Sequence, residues 1–188
     1  QRENALVAHL RWPAAGAFLG NALWAAYTQV FGLTVISAAI IVFTLTCLLA
    51  AYRVIASWPK FTARERWCSV LPLSALTAWL TVATMVNISA SLRFHGVDAG
   101  GAEVMIAATL VLVGGLIAGT ALVRSRGNPP FALVFLWALA AIYAAGGQRS
   151  GLVAGATGMA ALIVLAGAII GFRQAGTGHW FGTTAKAG

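Results

Sequence analysis

The sequence predicts an all-α polytopic transmembrane bundle of about six helices, and three observations lead to this fold class. The 188 residues are 60% hydrophobic and only 9% charged. The mean hydropathy is +0.87. The apolar runs are too long and too free of charge to be core helices of a water-soluble domain. We therefore expect one transmembrane domain that covers residues 1–188.

The apolar runs define six predicted spans in chain order. Each approaches the roughly 20 residues that a helix needs to cross the hydrocarbon layer. Charged residues, prolines or glycines, which are the usual breaks between spans, lie at or within a few residues of each end. The predicted spans are 13–31, 33–56, 70–92, 102–123, 129–146 and 151–172.

The positive charges support this count independently. Lysine and arginine concentrate in cytoplasmic loops of membrane proteins. With six spans, ten of the twelve cationic residues fall on one side, and only Arg93 and Arg149 fall on the other. We therefore expect both termini in the cytoplasm. The net charge of +8 then reflects topology and contact with lipid headgroups, and we expect no nucleic-acid partner.

The third span carries a polar stripe that lipid alone would not favour. Its residues follow helical spacing, with an asparagine at the edge and a tryptophan near mid-depth. The stripe consists of Ser74, Thr77, Thr81, Thr84 and Ser91, with Asn87 at its edge and Trp79 beside it. Such a face is expected to contact neighbouring helices or a ligand.

The first span is similarly polar, because Asn21, Trp24 and Thr28 share one face. Polar side chains inside a membrane are unfavourable unless they are paired. Two readings stay open for Asn21 and Asn87: hydrogen bonds that join helices, or the lining of a binding cavity between the first and third spans.

The tryptophans divide by depth. Trp12, Trp58, Trp67 and Trp180 fall at span ends, where an indole suits the headgroup layer, so we expect them to be interfacial anchors. Trp24, Trp79 and Trp137 fall near mid-span, where the indole N–H needs an acceptor.

Glycines four residues apart predict close helix packing at several places. These pairs are Gly16/Gly20, Gly115/Gly119, Gly147/Gly151, Gly151/Gly155 and Gly167/Gly171.

The chain carries no recognisable catalytic or metal-binding pattern. All four acids, Glu3, Glu65, Asp98 and Glu103, lie in or beside predicted loops, so no carboxylate pair lies in the bundle. The histidines are scattered, and the two cysteines have no metal-ligand spacing. We therefore expect no enzyme activity, no catalytic residue and no metal site.

Several segments resemble the tryptophan-rich sensory protein family, the TspO and translocator-protein relatives. Leu71-Pro72, the run Ala78 to Thr84 and Asn87 are similar to that family's Pro-Tyr-x-x-Trp-Val-x-Phe-Ala-x-x-x-Asn helix. Asn21-Ala22-Leu23-Trp24 is similar to its Leu-Asn-x-x-Trp segment, and Phe131 to Ile142 resembles the C-terminal extension of the long bacterial members.

The resemblance implies a membrane protein that binds porphyrins, other tetrapyrroles or sterol-like molecules without catalysis. It also implies the inner membrane of a bacterium. The ligand-binding residues expected from the two polar faces are Asn21, Trp24, Trp79, Thr81, Thr84 and Asn87. The family's tryptophan- and proline-rich loop and the helix that precedes the 13–31 segment have no counterpart, so the chain is expected to lack the N-terminal part.

Two functions are compatible with these observations. The first is binding of a tetrapyrrole or another apolar small molecule. The second is an accessory subunit of a larger photosynthetic or respiratory membrane complex, which would contact partner subunits or a second copy of the chain. The upstream reading frame would help to discriminate them.

Overall fold

The structure is a computed structural model that describes residues 5–97 and 99–181. Within these ranges it contains helices and loops and no β-strand. The helices are α1 (Ala5–Phe31), α2 (Val35–Ser57), α3 (Ala63–Glu65), α4 (Leu71–Phe94), α5 (Glu103–Arg124), α6 (Pro129–Ala144), α7 (Gly151–Ala175) and α8 (Thr177–Phe181). A π-helical turn, Arg66–Val70, joins α3 directly to α4, and a short 3₁₀ turn, Gly147–Arg149, precedes α7.

The six long helices run alternately between two ends of the bundle. At one end the His9 ring lies beside the Trp58 ring, with ring centroids 5.8 Å apart, and Trp180 donates a hydrogen bond to the Arg126 carbonyl. We call this end the terminal end. At the far end the Val35 amide reaches the His95 ring. This alternation agrees with the uneven distribution of arginine and lysine along the sequence.

Four helical segments are long and apolar enough to cross a membrane, by length and composition. They are Val35–Ser57, Ala63–Phe94, Glu103–Arg124 and Gly151–Ala175. Helix α6 is shorter, and its 16 residues extend about 24 Å at 1.5 Å per residue. Helix α1 is long but carries several polar side chains and is not among the four. The count of six crossings therefore stays a prediction.

Helix α1 begins earlier than the first predicted span. Its first turns are helical because Leu6 and Leu10 are buried, at 0% and 3% exposure, in a core shared with α2 and the start of α4. Pro13 lies inside the helix. The charged and polar residues between Ala5 and Pro13 conceal this packing from a hydropathy profile.

Three of the five predicted glycine pairs lie at close helix contacts: Gly16/Gly20, Gly115/Gly119 and Gly167/Gly171. Helices α5 and α7 pack most extensively, through Gly115, Gly119 and Gly167, and a Cβ on Gly167 would lie 2.8 Å from the Gly119 Cα. Gly16 faces Cys47 on α2 in the same manner. Helix α2 lies between α1 and α4, α4 packs on α6, and α6 packs on α7.

Candidate functional site

An apolar cleft of about 530 Å³ lies between α4, α5 and α6 toward the far end. Its walls are formed by Val82, Met85, Val86 and Ala90 from α4, by Ala107, Leu110, Val111 and Gly114 from α5, and by Phe135, Leu139 and Ile142 from α6. Small-molecule sites in proteins have this volume and this predominance of apolar side chains. The cleft is therefore the candidate site for an apolar ligand.

The cleft exists because α5 is held by α7 rather than by its other neighbours. Helix α5 meets α4 and α6 at few points, whereas its glycine face packs closely on α7. Gly114 forms part of the lining, and a Cβ there would lie 2.9 Å from the Met85 methyl carbon. A larger residue at this position would push the Met85 side chain aside and reduce the space between the helices.

Among the described residues, the rim of the cleft carries one cation and one anion. Arg93, in the last turn of α4, pairs with Glu103, in the first turn of α5. Their side chains are 69% and 49% exposed, and such exposed pairs contribute little to stability. Deeper in the lining, the Ser89 hydroxyl donates to the Met85 carbonyl of its own helix, at 3.0 Å. The walls are thus apolar, and the charges lie at the entrance.

The structure does not bring the six sequence-predicted ligand residues into one cavity. Thr81 and Thr84 donate hydrogen bonds to the carbonyls of Thr77 and Leu80 on their own helix, at 2.8 and 2.6 Å. Their hydroxyls therefore satisfy their hydrogen bonds within α4, as threonine commonly does in helices.

Asn87 lies at the interface of α2 and α4, with 2% exposure. Its Oδ1 atom lies 3.1 Å from the Ser37 hydroxyl, which also lies 2.7 Å from the Thr34 carbonyl. This contact favours the role of joining helices. Its Nδ2 atom is buried without a hydrogen-bond partner among the described residues.

The first span is separated from the third by α2. Trp24 packs against the core shared by α1, α2 and α4, and its Nε1 atom is also buried without an acceptor in the described part of the chain. Asn21 is half-buried on α1. Neither Asn21 nor Trp24 is among the residues that line the apolar cleft.

Trp79 faces the outside of the bundle. It is 41% exposed and contacts Trp137 of α6, which is 60% exposed, with ring centroids 5.2 Å apart and ring planes tilted by 36°. It is absent from the lining of the cleft, although Val82, three residues further along α4, belongs to it. Of the six predicted residues, Thr84 and Asn87 are buried, and Asn87 contacts α2 through Ser37.

Sequence reasoning missed the cleft because its residues are ordinary for a membrane span. Valine, leucine and alanine carry no signal that separates a ligand wall from a lipid-facing surface. The one available clue was the charge pair Arg93 and Glu103, which flanks the loop between two predicted spans. Over residues 5–97 and 99–181, no group of three histidine, cysteine or acidic side chains is arranged to hold a metal ion.

A second polar arrangement holds α8 at the terminal end. Arg126 donates to the Trp58 carbonyl at 3.0 Å and lies 3.2 Å from Nδ1 of His179. Trp180 donates to the Arg126 carbonyl at 2.6 Å, and its own carbonyl accepts from Arg66 at 2.7 Å. Trp180 is only 5% exposed, so it is a buried part of this contact and not the interfacial anchor expected from its position.

The docking of α8 should weaken as the pH falls. Burial and the neighbouring Arg126 guanidinium lower the pKa of His179 below its ordinary 6.5. Below pH 6.5 His179 therefore binds a proton more readily when α8 is undocked than when it is docked. The docked state of α8 becomes less stable as the pH falls. Hydrogen exchange of residues 177–181, followed by mass spectrometry, should be faster at pH 5.5 than at pH 7.5 after correction for intrinsic rates.

The matched controls are two histidine substitutions. His179→Gln should abolish this pH dependence, whereas His95→Gln at the far end should leave it intact. Equal pH dependence in the wild type and His179→Gln would contradict the assignment.

Comparison with known proteins agrees with the architecture. The family model for TSPO-like proteins matches residues 1–170, which is most of the chain. No curated protein and no solved structure matches the chain. The matched segment includes every helix that forms the cleft, together with the motifs around Trp24 and Trp79. The chain is therefore an integral membrane protein of the TSPO-like family.

Proposed function

We propose that this protein binds an apolar small molecule in the cleft between α4, α5 and α6, and does so without catalysis. The observation that carries the proposal is the cleft itself, about 530 Å³ with apolar walls and the Arg93–Glu103 ion pair at its rim. Apolar walls exclude water and favour an apolar body. The rim charges orient whatever polar group the ligand carries.

A tetrapyrrole with carboxylate side chains is the ligand class that we favour. The resemblance to tryptophan-rich sensory proteins implies such a ligand, and its ring would lie between apolar walls. A carboxylate could replace Glu103 as the partner of Arg93, since a guanidinium binds carboxylates with two parallel hydrogen bonds. The described lining residues include no histidine or cysteine, so a metal-free porphyrin is the suitable probe.

Filling the cleft should abolish strong binding. Ala107→Phe adds a ring to the α5 wall, and the resulting overpacking should weaken binding roughly tenfold or more. Binding is measured by titrating the purified protein in nanodiscs with metal-free protoporphyrin and following the porphyrin absorbance.

The same substitution at Ala140, an exposed position on α6, is the matched control and should leave the affinity unchanged. Equal affinities for the wild type and Ala107→Phe would contradict binding in this cleft. The ligand class would be sterol-like instead if protoporphyrin did not bind to the wild type, cholesterol did, and Ala107→Phe abolished the cholesterol binding.

We also propose that the terminal end faces the cytoplasm of a bacterium, from the inner membrane. The ten-to-two distribution of cationic residues supports this orientation. Cys68 at the terminal end is exposed and offers a natural reporter. A membrane-impermeant maleimide added to intact spheroplasts should label Gly151→Cys but not Cys68; the reverse pattern would invert the orientation.

A second candidate function is that of a subunit in a larger membrane complex. The adjacent Trp79 and Trp137 rings favour it, because exposed indoles near mid-helix have no water for their N–H groups. A neighbouring helix from another subunit would supply an acceptor. Native mass spectrometry of the protein extracted from its own membrane should show a partner that Trp137→Leu releases, and a monomer in both cases would dismiss this alternative.

A further inference from the structure

A second cavity, of about 500 Å³, lies at the terminal end, remote from the apolar cleft. Its walls come from the first turns of α1 and from the segment where α3 meets the π-helical turn. The lining residues are Val7, Ala8, Arg11, Arg64, Glu65, Cys68 and Ser69. Two helical segments, far apart in the sequence, thus bring two arginines to one space.

The charge balance of this cavity favours an anion. Among the described residues, neither Arg11 nor Arg64 takes part in an ion pair or a hydrogen bond. The Arg11 guanidinium carbon lies 5.7 Å above the Trp12 ring. Both guanidinium groups can therefore turn toward a ligand without breaking a bond to another described residue.

The carboxylate in the lining is committed to a structural role. Glu65 is buried, and its Oε2 atom accepts from the backbone amide of Thr62 at 2.7 Å and from the Thr62 hydroxyl at 2.9 Å. In return, the Glu65 amide donates to the Thr62 hydroxyl, which completes a capping box at the start of α3. Glu65 thus caps the helix, and among the described lining residues two guanidinium groups face one carboxylate that is already bonded.

The depth of the cavity points to the lipid headgroup layer. Trp12 follows Arg11 directly and is 74% exposed, and Trp67 precedes Cys68 and is 72% exposed. Exposed tryptophans at helix ends lie at the membrane–water interface. The two arginines beside them therefore lie at the level of lipid phosphates.

We infer that the cavity formed by Arg11 and Arg64 binds the phosphate group of an anionic membrane lipid. Guanidinium groups bind phosphate oxygens through paired, charge-assisted hydrogen bonds, and basic pockets between membrane helices hold such headgroups. The Ser69 hydroxyl can add a donor, and Val7 offers an apolar wall beside the headgroup. A membrane lipid is the favoured source of the phosphate because the cavity lies in the headgroup layer.

Native mass spectrometry of the full chain tests this site. The protein is reconstituted in nanodiscs that contain equal amounts of phosphatidylglycerol and phosphatidylcholine and is then released in mild detergent. We expect the wild type to retain one phosphatidylglycerol in preference to phosphatidylcholine. The Arg11→Gln/Arg64→Gln variant should reduce this retention about tenfold, since it removes two charge-assisted contacts.

The matched control is Arg53→Gln/Arg173→Gln, which removes the same charge from exposed positions outside the cavity. It should retain phosphatidylglycerol like the wild type. Arg11→Lys/Arg64→Lys keeps the charge but not the paired donors, so its retention of phosphatidylglycerol should be intermediate. This variant keeps the proposal testable if the glutamine variant fails to fold. Equal losses in the two glutamine variants would show a diffuse surface-charge effect and overturn the site.

The phosphate group could come from a lipid or from free inorganic phosphate, and a titration with inorganic phosphate distinguishes these two ligands. Phosphate added to the delipidated protein should not bind at millimolar concentration if the site requires a lipid. Saturable phosphate binding that depends on Arg11 and Arg64, without preferential phosphatidylglycerol retention, would overturn the lipid assignment. Porphyrin binding to the cleft should be unchanged in every arginine variant, so failure of one site is distinguishable from failure of the other.

Discussion

Replacing Gly167 with leucine should destabilise the bundle by about 3 kcal/mol or more, because α5 and α7 approach too closely for a side chain. A Cβ at this position would lie 2.8 Å from the Gly119 Cα and 2.9 Å from its carbonyl carbon. Backbone atoms cannot turn aside as a flexible side chain can, so the helices must separate. The measurement is the free energy of unfolding in a titration with sodium dodecyl sulfate in mixed micelles.

Gly158→Leu on the same helix is the matched control. No atom of the described residues lies within 4 Å of a Cβ placed there, and the position is exposed. The substitution should change the free energy of unfolding little, or raise it slightly through better helix propensity. A similar loss in both variants would show that α5 and α7 do not pack through Gly119 and Gly167.

The separation of α5 and α7 should also affect the ligand site. Helix α5 supplies one wall of the cleft and is positioned chiefly by α7. Gly167→Leu should therefore weaken porphyrin binding even under conditions in which the protein stays folded. Gly158→Leu should leave that affinity unchanged.

Asn128→Ala should cost about 3 kcal/mol, since this one side chain holds two elements. Its Oδ1 atom accepts from the Phe131 amide at 3.2 Å and caps the start of α6. Its Nδ2 atom donates to the Ser74 hydroxyl on α4 at 2.8 Å, and the residue is fully buried. Loss of a cap costs about 1 kcal/mol, and a buried partner left without its hydrogen bond costs about 1–3 kcal/mol more.

Asn21→Ala provides the comparison for that loss. Asn21 lies within α1, is only half-buried and has no hydrogen bond among the described residues. Its replacement should cost well under half as much in the same unfolding titration. Equal costs would indicate that the cap and the bond to Ser74 contribute nothing specific.

The small-residue pattern illustrates how far the sequence could lead. The pairs Gly115/Gly119 and Gly151/Gly155 have the same spacing and were equally good predictions of close packing. The first pair contacts α7. At the second pair, no neighbouring helix of the described structure lies within 4 Å of an added Cβ atom. Spacing shows where helices can approach, but only the partner decides where they do.

The polar faces show the same limit. The third-span stripe was expected to contact helices or a ligand, and Thr77, Thr84 and Asn87 are indeed buried. Asn87 contacts α2, which the resemblance and the helical spacing did not single out. The binding role of the six predicted residues stays a prediction, while the cleft draws instead on apolar side chains of α4, α5 and α6.

The sequence by itself determined the all-helical membrane class, the approximate helix positions, the charge asymmetry and the family. These properties depend on composition and on periodicity along one chain segment. Both are visible without knowing which helix packs against that segment. Only the tertiary structure decided that α2 lies between α1 and α4, that α5 packs on α7 far more than on α4, and that Arg11 and Arg64 line one cavity. The physical reason is that apolar faces of similar size can pack in many pairs inside a membrane, so helix pairing depends on close shape fit and not on hydrophobicity.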